Sequence, residues 1–158
     1  MTILVDTREK MNAHILEYFD KKKIPYIIKA LGQADYSFYI PANTELSIPR
    51  DLYFNGEIVI ERKGSLEELS TNLSTQRDRF EKELSTCRGK KILLIENANY
   101  SDVVSGNYNT QYNKKSFWGT LHSFWFKYDL PFVFMPDNRY SAPFIYGTFQ
   151  YYFKNYLR

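Results

Sequence analysis

The chain has 158 residues, of which 44% are hydrophobic and 25% charged, with seven glycines and six prolines; this is enough to bury one sizeable core and excludes a disordered or fibrous chain. Cys87 is the only cysteine, which excludes an internal disulfide framework and a multi-cysteine zinc site and leaves oxygen ligands for any metal. A net charge of +3 permits a polyanionic partner without demanding one.

Thr2 to Asp6 (TILVD) reads as a buried strand, and Lys10 to Lys22 as a helix with Ile15, Leu16 and Phe19 at helical spacing. Pro25 to Ala30 and Asp35 to Ile40 follow as strands around the Leu31-Gly32-Gln33 turn. Pro41 to Gly56 is polar with two prolines and reads as a hairpin or a substrate-contacting excursion, the hairpin being favoured, before a strand at Glu57 to Glu61 (EIVIE). Ser65-Leu-Glu-Glu68 has the capping-box form and opens a short helix directly behind Lys63. A second helix is expected from Ser74 to Arg88, and Lys91 to Ile95 (KILLI) is a central strand covered on both faces. Asp102 to Asn113 reads as a loop, Ser116 to Lys127 as an aromatic helix, Pro131 to Met135 as a strand and Tyr140 to Leu157 as a final helix. The alternation predicts one α/β domain over residues 1–158, with a largely parallel central sheet flanked by helices. With neither a membrane-length apolar run nor a signal-peptide core, a cytoplasmic protein with no membrane partner is expected.

Chemistry concentrates in Glu57-Ile-Val-Ile-Glu-Arg-Lys63. Side chains alternate along a strand, so Glu61 and Lys63 share one face about 7 Å apart. Asp35, at the start of an earlier and adjacent strand, completes a D…E-x-K arrangement. Two carboxylates suit Mg²⁺, which takes hard oxygen ligands and keeps several waters, while a lysine beside them can orient water or stabilise developing charge. Between a cation and a semi-buried face, the Lys63 pKa is expected to be pulled down, fitting a proton acceptor.

Alternating charge on a strand more often marks a solvated face. Here, however, Val5-Asp-Thr-Arg-Glu9, Ala34-Asp35, Glu61-Arg-Lys63 with Glu67, Arg77-Asp-Arg-Phe80 and Ile92-Leu-Leu-Ile-Glu96 occur in order. The set resembles the XPF-like structure-specific endonuclease family. The resemblance implies a restriction-endonuclease-like core with a central mixed sheet flanked by helices, Mg²⁺ (or Mn²⁺) as cofactor, and hydrolysis of branched or flap-type DNA in repair, recombination or replication, leaving a 5′-phosphate and a 3′-hydroxyl. It makes Asp35 and Glu61 metal ligands, with Asp6 as a further one. Lys63 assists water attack, Arg62 joins the catalytic group, and Asp6, Arg8, Glu9 and Glu67 support it. Ala34 stands where the family usually has glycine, and Glu67 where it usually has aspartate. The helix-hairpin-helix module that commonly follows this domain is absent. The family also contains subunits that lost their acidic residues, so the alternative is a non-catalytic DNA-binding or scaffolding partner.

Four further cations, Arg77, Arg79, Lys114 and Lys115, are candidate DNA contacts. The aromatic stripe of Ile145, Phe149, Tyr152, Phe153 and Tyr156 suits a homodimer or a partner subunit as well as the domain's own sheet. His14 and His122, without a second ligand-type residue at metal spacing, read as structural or surface positions.

Overall fold

Residues 1–158 are all described by a computed structural model. Thr2–Val5 (β1) is buried at every position, as a strand with both faces covered must be. It pairs in parallel with Tyr26–Ile28 (β2) and antiparallel with Tyr36–Ile40 (β3). β3 pairs antiparallel with Leu52–Tyr53 (β4) and Ile58–Lys63 (β5). β5 then pairs in parallel with Lys90–Glu96 (β6), and β6 with Phe132–Met135 (β7). The sheet runs β2-β1-β3-β5-β6-β7, with β4 branching from β3.

The sheet is therefore mixed, as the restriction-endonuclease-like core implies, and not largely parallel as the alternation of elements alone suggests, because no helix links β2 to β3 or β3 to β5. Without a crossover helix the chain doubles back. The Pro41–Gly56 stretch forms a hairpin: β4 lies on β3, and Asn43 and Ile48 form an antiparallel bridge.

Helices cover both faces. Ala13–Lys21 (α1) and Ser141–Tyr156 (α6) pack Ile15, Phe19, Ile145 and Phe149 against Ile3, Phe38 and Ile60. On the other face, Leu66–Leu73 (α2), Arg77–Thr86 (α3), Tyr100–Ser105 (α4) and Lys114–Tyr128 (α5) pack against Leu93 and Ile95. Burying a side chain such as Phe80 or Leu84 contributes about 1.5–3 kcal/mol, which seats the otherwise polar α3.

Three local differences from the sequence reading have physical causes. α1 starts at Ala13, not Lys10, because Met11 takes φ 54° and interrupts the helix. The expected loop after Asp102 opens inside α4: Asn99 and Asp102 form a reciprocal capping box, and Gly106 closes the helix at φ 76°. At α2, Ser65 Oγ accepts from the Glu68 N–H, but the Glu68 carboxylate accepts from Gly64 N–H at 2.8 Å instead of from Ser65. The box is displaced by one residue and ties the helix start to the end of β5.

The aromatic stripe of α6 is largely spent inside the domain. Ile145 and Phe149 are fully buried, and Tyr152 and Phe153 lie edge-on to Phe38 and Phe54. Tyr151, Tyr156 and Leu157 remain exposed at the helix end. No helix is long and apolar enough to cross a membrane.

Candidate active site

Alternation along β5 sorts its side chains between the two faces. Ile58 and Ile60 enter the α1/α6 core, and Arg62 follows them; Val59, Glu61 and Lys63 point the other way. Tyr36 pairs with Ile60, and Asp35 directly precedes it, near Glu61 at the point where the regular β3–β5 register ends. Like charges held this near to one another repel. Asp35 is held by its N–H donating to Ile60 O at 3.1 Å, and its Oδ2 accepts from Arg62 N–H at 2.8 Å. The residue before it, Ala34, sits at φ 54°, a left-handed conformation that glycine adopts freely and alanine at a cost of roughly 1–2 kcal/mol. That gives a physical reason for a glycine preference at this position.

Lys63 Nζ donates to Glu61 Oε1 at 3.2 Å and lies 5.0 Å from the centre of the Phe80 ring. Burial raises the Asp35 carboxyl well above its ordinary value, and the nearby Glu61 and Glu9 charges raise it further. Burial also raises Glu61, against the opposing effect of Lys63. Burial opposes the Lys63 charge, yet Glu61, Asp35 and Glu68 outweigh it and hold the ammonium above its ordinary value. The expectation of a lowered pKa included a bound cation; the side chains alone act the other way, because three carboxylates lie near the amine.

A cleft of about 550 Å³ opens over this trio. A second depression of about 190 Å³, bordered by Gln33, Asn72, Gln76 and Arg79, shares Arg8, Asp35, Glu61 and Lys63 with it. The two form one trough with the carboxylates at its centre. Arg8 and Arg79 stand on its rim with side chains 59% and 73% exposed.

Several expected site residues are placed differently. Arg62, only 6% exposed, uses its guanidinium as a buried tie: Nε and Nη2 donate to Glu9, Nη1 to Glu96 at 2.9 Å and Nη2 to Lys10 O at 2.7 Å. It orders the site and also lines the cleft. Asp6 is not brought to the cleft: Oδ1 accepts from Leu31 N–H and Oδ2 from Arg8 Nε, so both oxygens are committed. Burial raises its pKa, but those hydrogen bonds outweigh it and leave it lowered. Glu67 accepts from Asn109 N–H at 3.0 Å, away from the cleft, while its neighbour Glu68 lines it. Arg77 pairs with Glu81 and lies over Phe124, on a separate groove beside Tyr112. Lys114 and Lys115 begin α5 under an Asn113 cap and line neither part of the trough.

Glu96 and His14 are among the cleft residues that the sequence does not assign to the site. Glu96, 1% exposed, joins Arg62 to His14, whose Nε2 is 2.9 Å from Glu96 Oε1. Only the position of Glu96 at the end of an apolar strand hinted at it. His122 meets Tyr100 and Trp118 instead, away from the trough.

No group of three or more His, Cys, Asp or Glu side chains forms a ready-made metal cage. The donor set is a pair of facing carboxylates whose charges a cation would neutralise, and this fits Mg²⁺, which is commonly held by one or two carboxylates with water and substrate phosphate completing its shell.

The mixed sheet with helices on both faces and an acidic pair at its centre defines an α/β domain of restriction-endonuclease-like architecture. A family model of the ERCC4 domain matches residues 5–148, and the chain belongs to that family. Two solved structures share its XPF-like nuclease fold: XPF from Aeropyrum pernix, and the same protein in complex with DNA. The first is 15% identical with TM-score 0.68, covering 95% of this chain and 64% of that one. The second is 16% identical with TM-score 0.69, covering 98% and 66%. The chain thus spans slightly under two thirds of those proteins. No curated protein matches it.

Proposed function

We propose that this domain, residues 1–158, is a metal-dependent DNA endonuclease cutting branched or flap-type DNA. The observation that carries the reading is the neighbouring carboxylates Asp35 and Glu61 with Lys63 beside them, at the centre of a trough rimmed by Arg8 and Arg79. Family membership, and a similar fold described in complex with DNA, support a DNA-binding nuclease.

Asp35 and Glu61 are the residues that would hold Mg²⁺ or Mn²⁺. The bound cation supplies charge for the phosphoryl oxygens and lowers the pKa of a coordinated water. Lys63, whose Nζ lies 3.2 Å from Glu61 Oε1, stabilises negative charge on the phosphate and orients the attacking water through its N–H donors. Glu9, Arg62 and Glu96 hold the strand ends in register. Arg8 and Arg79 receive flanking phosphates. Asp6, with both oxygens committed, is outside the ligand set.

Labelled flap, fork, junction and plain duplex DNA, incubated with Mg²⁺ or Mn²⁺, test the reading directly. Cleavage of a branched substrate that Glu61→Ala lowers by about 10³-fold or more supports it. Binding without cleavage by the wild type overturns it in favour of a non-catalytic DNA-binding partner. Pairing with a second copy or a partner subunit, through exposed Tyr151, Tyr156 and Leu157, belongs to the same proposal. Sedimentation equilibrium returning only the 18.8 kDa monomer at all concentrations would remove the homodimer.

A further inference from the structure

Met11 is the one apolar residue lining the catalytic cleft. It is 90% exposed and sits at φ 54°. A bulky side chain in the left-handed region is strained, and such strain persists only where the surroundings impose it. They do so from both sides. The preceding Lys10 carbonyl accepts from buried Arg62 at 2.7 Å, with Glu9 bound to the same guanidinium. The following Asn12 is buried and donates from Nδ2 to the Tyr36 hydroxyl at 3.2 Å, forgoing the helix cap that its position invites. The chain therefore accepts a strained backbone and an uncapped helix, and the result is an unpacked thioether projecting at the mouth of a polar trough.

Resting on the nuclease reading above, we infer that Met11 is a specificity-determining wedge that inserts between base pairs at a duplex end or branch point and unstacks them as the strand enters the trough. Apolar side chains, methionine among them, serve as such wedges by replacing stacking contacts that a polar side chain cannot supply. The pinned backbone makes the insertion cheap in entropy, since the loop is ordered before DNA arrives. Lys10 and Arg8 line the same cleft and supply cations for phosphates near the wedge.

The test uses a flap duplex carrying 2-aminopurine in the first base pair of the junction, mixed with the full chain in EDTA so that unstacking is read without cleavage. The expected result is a fluorescence rise on binding that Met11→Ala and the size-matched Met11→Gln abolish and Met11→Leu keeps, with melting temperatures no lower than wild type. In Mg²⁺, the preference for a gapped junction over a fully stacked one should rise about tenfold in Met11→Gln. An equal rise in wild type and Met11→Gln, or no rise in wild type, overturns the wedge. Absence of cleavage in Mg²⁺ despite a Met11-dependent rise would instead remove the nuclease reading and leave the wedge standing.

Discussion

Asp35 and Glu61 are neighbouring carboxylates of like charge, and burial raises both. A folded-state pKa above the unfolded one means that the folded state binds protons more tightly. The resulting stabilisation is fully present below the ordinary carboxylate range and is lost as the pH rises through the raised value. At neutral pH the ionised pair therefore costs stability. Asp35→Asn should melt at a higher temperature than wild type at pH 7 without metal, with the gap closing as the pH falls to about 4. Its side-chain oxygen can still accept from Arg62 N–H, so the backbone tie survives. Added Mg²⁺ should raise the wild-type melting temperature and leave the variant nearly unmoved, because the cation relieves a repulsion the variant lacks. Differential scanning fluorimetry measures both, and a variant that melts lower at pH 7 would sink the electrostatic account.

At the scale of elements, β5 was legible because its information is local. Period-two alternation put Glu61 and Lys63 on one face, and Asp35 at the head of a neighbouring strand followed from the order of apolar runs. The α2 cap was legible for the same reason, although Glu68 bonds one residue earlier than the motif prescribes. What stayed hidden is long-range. Arg62 finds Glu9 and Glu96 at sequence separations of 53 and 34 residues, and no spacing rule joins them. Asp6 illustrates the converse, because its motif marks it for the site while Leu31 N–H and Arg8 absorb its oxygens. The Arg62 network clamps β5, β6 and the segment before α1 together. Removing the cation strands two buried carboxylates, so Arg62→Ala should lose about 3–5 kcal/mol in urea unfolding. Adding Glu96→Gln to that variant should recover part of the loss. A loss below about 1 kcal/mol would show the network to be as weak as a surface ion pair.

At the scale of the molecule, a net charge of +3 is small, so DNA affinity has to come from where the cations stand. Arg8 and Arg79 rim the trough, whereas Arg77 is turned to Glu81 and Phe124 on a separate groove. Each phosphate neutralised on duplex DNA contributes about −0.9 to the slope of log affinity against log salt. Fluorescence anisotropy of a labelled flap in EDTA, titrated across salt concentrations, should give a slope shallower by about 0.9 for Arg8→Ala and for Arg79→Ala. Arg77→Ala should keep the wild-type slope, since it lines a separate groove. Arg8 and Arg79 each start from an ion pair on the protein, with Asp6 at 2.9 Å and Glu83 at 3.3 Å, so each slope change reads the exchange of a protein carboxylate for a phosphate. Equal slopes in all three variants would mean that DNA does not track the trough, and the path of the substrate would have to be sought on another face of the sheet.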